Sequence, residues 1–409
     1  MLRRFSPRND MTMHDTSLRA KRGNLQPHDW QRLVLSQTTY LNIISGRAPE
    51  LVGVPARLAL TVLSWPYSAV VRVRNHLYAT GRLKAHRVGI PAICVGNLTT
   101  GGTGKTPFVV WLCRYLREKQ VRCAILTRGY KVQEGELSDE PALLTAQCPG
   151  VAVIVNPDRV GGAAEAIRTH EAQVLVMDDG FQHRRLARDL DIVAIDAMRP
   201  FGYSSMGVPP MYSGSRARCP CYGRVLPAGL LREPVAGLRR AHAVVLTRCD
   251  QVPQDIVGQI EEDIRRVNHD LVIARSVHVP VGIRTHEGAE ISFEQIRGKR
   301  VFAFCGIGNP QSFFHTVERL GGLLAGSRAY DDHYRYDASD LDRIHHEAAR
   351  QEAQIVLTTQ KDWMRIARWA AAPGHPPLAY LAVELQITAG AQELIALIDR
   401  VLGGRIPNP

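Results

Sequence analysis

The chain has 409 residues, 45% of them hydrophobic, which is enough to bury a substantial core spread over two domains. Its formal charge of +12 is concentrated in residues 1–90, where 14 Lys/Arg stand against four Asp/Glu. This bias points to an anionic partner surface, phospholipid or nucleic acid. The early arginines lead into no apolar stretch, so no secretory signal is expected, and the eight cysteines, mostly in apolar patterns, fit a reduced compartment.

Residues 1–40 are polar, basic and poorly periodic and read as a disordered extension. Residues 41–88 form a basic, apolar segment. Within it Leu58–Val71 supplies about fourteen largely apolar residues between Arg57 and Arg72/Arg74. That is shorter than the roughly twenty residues of a spanning helix, and Pro66 is expected to interrupt it. The segment reads as an interfacial helix with Trp65 and Tyr67 at the boundary, or else as a core helix packed on the next domain.

The rest of the chain is organised around the stretch Ile90–Tyr115. Ala92–Val95 is a buried strand, Gly101, Gly102 and Gly104 permit a tight turn, and an apolar-periodic helix begins after them. Strand, glycine loop and helix make a phosphate-binding loop, with Thr99, Thr100, Gly101, Gly102, Thr103, Gly104, Lys105 and Thr106 as the nucleotide-contacting residues. Backbone amides and the helix N-terminus receive phosphate oxygens, Lys105 reaches the β- and γ-phosphates, and the Thr106 hydroxyl ligates magnesium. The common G-x-x-x-x-G-K-[ST] pattern requires glycine at position 99, where Thr99 stands, so the loop is of a variant type.

Further apolar runs at Cys123–Thr127, Ala152–Val155, Val174–Met177, Ile192–Ile195 and Ala243–Leu246, separated by helical patterns, predict a parallel sheet covered on both faces. Ligands in such sheets sit at the carboxyl ends of strands. There Asp178 and Asp179 follow a strand directly, and adjacent carboxylates at such a place suit magnesium. Asp196 ends the next strand, with no role assigned. Residues 198–234 read as a long loop, and Cys219-Pro-Cys221 within it lacks the partner ligands of a zinc site. A second set of strands comes after this loop, placing domains at 89–236 and 237–409. Cys305–Pro310, Asp331–Tyr334 and Thr358–Trp363 lie at its strand-to-helix turns, with His333 beside two acids.

In order along residues 44–400, Val95–Pro107, Arg128-Gly-Tyr130, Asp139-Glu-Pro141, Asp178–His183, Leu226–Glu233, Gly306–Pro310, Asp332-His333 and Thr358–Asp362 resemble the tetraacyldisaccharide 4′-kinases. The resemblance implies an α/β fold: a P-loop NTPase-like parallel-sheet domain, a second, smaller α/β domain and an N-terminal membrane-associated helix. It implies ATP and Mg2+ as cofactors and phosphorylation of the 4′-hydroxyl of a lipid A disaccharide-1-phosphate. The location implied is the cytoplasmic face of the inner membrane, with no nucleic acid partner. Asp139 would activate the hydroxyl with His333 as its partner, Lys105 and Arg232 would serve phosphate charge, and Thr106, Asp178 and Asp179 would serve the metal. The segment between Tyr130 and Asp139 is shorter than is usual for the family, and the 198–225 loop longer. An alternative is a variant P-loop GTPase or metallochaperone, for which Thr247-Arg-Cys-Asp250 resembles the guanine-reading [NT]-K-x-D pattern with arginine for lysine.

Overall fold

Runs of β-branched and small apolar residues make strands buried on both faces, and the longer amphipathic stretches between them make the helices that cover those faces. The computed structural model describes residues 37–129, 139–202, 220–285, 288–332, 334–369 and 376–403. The first part comprises α1 (Gln37–Ser45), α2 (Glu50–Ala79), β1 (Ala92–Gly96), α3 (Lys105–Glu118), β2 (Cys123–Thr127), α4 (Asp139–Gln147), β3 (Ala152–Val155), α5 (Arg159–His170), β4 (Val174–Asp178) and β5 (Leu190–Asp196). The second comprises β6 (Ala243–Thr247), α6 (Gln254–Val267), β7 (Val272–Thr285), β8 (Glu290–Ile291), β9 (Arg300–Cys305), α7 (Pro310–Arg319), β10 (Leu323–Ala329), α8 (Ala338–Arg350), β11 (Ile355–Thr359), α9 (Gln360–Ile366), β12 (Leu378–Ala389) and α10 (Ala391–Gly403).

All twelve strands belong to one sheet of order β10-β9-β11-β12-β7-β6-β5-β1-β4-β2-β3, with β8 attached to β7. β5 and β6 pair in parallel, so the sheet runs unbroken across position 236. The long antiparallel pair β7 and β12 joins the two parallel halves. β6 lies along the start of β7 and β11 along the start of β12. Because those starts are at opposite ends of the pair, the two halves run in opposite directions, and the carboxyl ends of their strands face each other across it. The loops that follow β1, β4 and β6 therefore meet the loops that follow β9, β10 and β11.

Alternate residues of β1 enter opposite cores, as the strand period requires. Ala92 and Cys94 pack with Ala163, Ala166, Val257 and Ile260 of α5 and α6. Ile93 and Val95 pack with Phe108, Leu112, Leu394 and Ile398 of α3 and α10. Burial of a side chain such as Phe108, which is fully enclosed, stabilises the fold by about 1.5–3 kcal/mol.

α2 corrects the expectation at Pro66. The helix continues for 30 residues through both Pro55 and Pro66. Each proline leaves one upstream carbonyl without its helical donor, and the residues concerned, Leu51 and Val62, lie on the exposed face, where an unpaired carbonyl costs least. α1 begins at Gln37, inside the expected extension, because Ile43 and Ile44 are buried and Ile44 packs against Cys221 and Leu230. The seven described cysteines are buried free thiols.

Candidate active site

The glycine loop after β1 is tied down from outside. Thr99 bridges Leu231, the Thr100 amide donates to the Leu230 carbonyl at 2.8 Å, and the Arg232 amide donates to the Leu98 carbonyl at 2.7 Å. Arg248 Nη1 donates to the Gly102 carbonyl at 3.1 Å and Thr247 Oγ1 to the Thr103 carbonyl at 2.9 Å. The amides of Gly101 to Gly104 take part in no hydrogen bond among the described residues. Gly104 has φ +81°, and a Cβ there would press on Thr247 and His278, so only glycine suits the step into α3.

Asp178 ends β4 and is almost fully buried, with its Oδ1 lacking a partner. Burial and then Glu140 push its carboxyl well above the usual carboxylate range, against the pull of Lys105. Asp179 stands next in the left-handed region at φ 52°, a strained position for a residue with a side chain. Both of its oxygens accept from Arg232 Nη1, and Lys105 Nζ is 3.4 Å from Oδ1. Burial works against its charge, but Lys105 and Arg232 outweigh it and hold the carboxyl down to about 2.

From the opposing half, the loop after β9 reaches the phosphate loop so closely that a Cβ on Gly308 would lie 2.3 Å from the Gly102 amide nitrogen. Asp362 holds that loop by accepting from the Gly306 amide at 3.0 Å. Asn309 Nδ2 donates to Asp196 Oδ2 at 3.1 Å, and the same oxygen accepts from Arg248 at 2.7 Å. The role of Asp196 is thus to join the two halves. Lys361 Nζ lies 3.3 Å from Asp332 Oδ1.

These loops enclose a cavity of about 760 Å3. Thr100 to Thr106, Asp179 and Arg232 line it together, with Glu140, Asp332 and Lys361. Asp178 lies buried behind, and Thr99 braces the loop rather than facing the cavity. Asp139 opens α4, whose Glu140, Leu143 and Gln147 line the cavity, but its side chain lies outside the described residues. His333, Tyr130 and residues 203–219 of the long loop also lie outside them, although Asp332 beside His333 lines the cavity. Sequence reasoning passed over His278, gave no site role to Glu140 and Lys361 although they lie within motifs it singled out, and read Arg248 only in a guanine pattern. Their signal was position, since Arg248 and Lys361 lie just past strand ends. The guanine-reading expectation at Thr247–Asp250 is not met, because Arg248 is spent on Asp196 and Gly102 and Asp250 pairs with Arg319.

The arrangement offers free loop amides and two cations for phosphate, and acidic oxygens for a hard cation. A family model described as "Tetraacyldisaccharide-1-P 4′-kinase" matches residues 56–207 and 216–403. A tetraacyldisaccharide 4′-kinase of Anaeromyxobacter dehalogenans (strain 2CP-C) is 35% identical over 367 residues, covering 86% of this chain and 92% of the relative. One from Syntrophotalea carbinolica is 36% identical over 325 residues, covering 75% and 83%. Among solved structures, an "apo" form of LpxK from Aquifex aeolicus in complex with ATP aligns with a TM-score of 0.61 at 28% identity, covering 85% of this chain and 99% of that one.

Proposed function

The chain belongs to the tetraacyldisaccharide-1-phosphate 4′-kinase family and is a lipid A 4′-kinase, and from that premise we propose how its residues divide the work of phosphoryl transfer. The observation that carries the reading is the convergence of Lys105 and Arg232 on Asp179 at the mouth of a glycine loop whose amides are unspent. ATP phosphates enter the loop and the N-terminus of α3, and Lys105 and Arg232 turn from Asp179 to the phosphate charge. The lipid 4′-oxygen attacks the γ-phosphorus, the β–γ bridging P–O bond breaks, ADP leaves, and Asp139 takes the hydroxyl proton with His333 orienting it.

The residues present suit magnesium, because the orphaned buried Oδ1 of Asp178 and the Thr106 hydroxyl are oxygen donors of the kind that ion prefers. Bound there, magnesium would neutralise charge on the phosphate oxygens. Asp179, engaged by two cations, serves chiefly to hold them. Thr106→Ala and Asp178→Asn should each raise the magnesium concentration for half-maximal activity, and titrations that match the wild type would remove the metal role.

The acceptor is a lipid, and α2 supports a peripheral seat at the inner membrane's cytoplasmic face. Leu51, Leu58 and Trp65, seven residues apart, are 93%, 66% and 67% exposed, while the residues α2 buries are Gly53, Ser64 and Val71. No described helix is long and apolar enough to cross a membrane. An exposed apolar face with the exposed Arg72 beside it, and the half-buried Arg57 and Arg74 further round the helix, suits the plane of an anionic bilayer surface better than a core.

A further inference from the structure

The segment that carries Arg232 is held from behind by α2. Tyr67 Oη donates to the carbonyl of Arg232 at 2.7 Å. Two turns further along, Asn75 Nδ2 reaches Glu233 Oε2 at 3.3 Å. Glu233 is completely buried, and its carboxylate also accepts from Arg240 Nη1 at 2.6 Å, Arg240 Nη2 at 2.7 Å and Gln182 Nε2 at 2.8 Å. The Gln182 amide group bridges onward to the Asn97 carbonyl at 2.8 Å. Arg240 lies over the Phe181 ring at 3.7 Å and donates to its carbonyl.

A buried carboxylate is costly unless every lone pair is used, and here the donors come from three separate segments: α2, the loop after β4 and the turn at 235–240. Glu233 is also the chain neighbour of Arg232. Neither Tyr67, Asn75 nor Glu233 lines the cavity, so their effect on chemistry must pass through what they hold.

We infer that Glu233 and Tyr67 are positioning residues that set the backbone of Arg232 and thereby couple α2, with its exposed apolar face, to phosphate recognition. The inference rests on reading Arg232 as a phosphate-facing group. Misplacement of such a group by about 1 Å can cost a hundredfold in rate. A helix seated on lipid would therefore steady the arginine in the same act as it brings the enzyme to its substrate.

The test is a kinetic cycle with the full-length enzyme, ATP and the disaccharide-1-phosphate lipid in mixed micelles. Tyr67→Phe keeps the ring and deletes one donor. It should lower kcat about fivefold, the usual worth of one net hydrogen bond, with the KM for ATP unchanged and the fold intact at the assay temperature, the unfolding midpoint falling only by what one bond is worth. Glu233→Gln, which keeps the shape and removes the charge, should lower kcat further. In an Arg232→Ala background Tyr67→Phe should cost nothing more, since the residues act in series. Wild-type kcat in Tyr67→Phe, or the same fractional loss in both backgrounds, overturns the inference while an impaired Arg232→Ala leaves the phosphate reading standing. A fully active Arg232→Ala overturns both.

Discussion

Arg232 and Asp179 form an ion pair in which one guanidinium nitrogen lies 2.9 and 2.7 Å from the two carboxylate oxygens, and Lys105 closes on the first of those oxygens at 3.4 Å. One carboxylate thus gathers two cations at the entrance of the phosphate loop. Removing a charge aimed at a developing phosphate typically costs about 10²–10³-fold in kcat. Lys105→Ala should lose at least that, measured as initial rates at saturating ATP, and a variant that keeps a tenth of wild-type turnover would contradict the phosphate-loop assignment.

The proton acceptor makes a second prediction. An aspartate with an ordinary pKa near 4 is a weak base toward a sugar hydroxyl, so Asp139 would accept the proton late and orient the oxygen. Asp139→Ala and His333→Ala should each lower kcat by roughly 10²–10⁴-fold with ATP affinity little changed, and the double variant should lose far less than the product. Strictly multiplicative losses would mean that the two act independently.

His278 gives a pH prediction. Burial, and then Arg248, press its imidazole down to about 3, and its Nε2 has no partner. The folded chain therefore keeps His278 neutral where the unfolded chain, with a pKa near 6.5, takes up a proton. Stability from this site is complete above about pH 6.5 and falls as pH drops from there toward 3. Denaturant midpoints measured across pH 7 to 5 should fall, and His278→Asn should flatten that slope. An equal slope in the variant would assign the acid sensitivity elsewhere.

The core parallel strands were legible because they are short apolar runs without alternation, as at Val174–Met177 and Val301–Phe304, whereas Val272–Thr285 and Leu378–Ala389 were legible only at their starts and the half-exposed Leu323–Ala329 was missed. The phosphate loop was legible because its glycines and Lys105 are contiguous. The facing of the two halves was not, since it depends on the antiparallel pairing of Val272–Thr285 with Leu378–Ala389, a contact between residues about a hundred positions apart. For the same reason Asp196 and Asn309, 113 residues apart, could not be joined from sequence. Pro66 misled because helix propensity prices a proline without knowing that its face is open to water.

Helix α2 carries a prediction about surfaces. Each basic residue near an anionic bilayer contributes about 1 kcal/mol, and each exposed apolar side chain adds burial. Arg72→Glu with Arg74→Glu should weaken co-sedimentation with anionic vesicles by more than tenfold, and Leu58→Ser with Trp65→Ser should weaken it in neutral vesicles too. Unchanged sedimentation of both variants would return α2 to a role within the protein.

The reaction assigned to this site is transfer of the γ-phosphoryl group to the 4′-hydroxyl of a tetraacylated glucosamine disaccharide 1-phosphate. Purified protein should be incubated with ATP, magnesium and that lipid, and the product examined by mass spectrometry and phosphorus NMR. One added phosphate is expected, bonded to the 4′-oxygen, in step with ADP formation and absent with Lys105→Ala. ATP hydrolysis without a bisphosphorylated lipid, or a phosphate at any other position, would contradict the assignment.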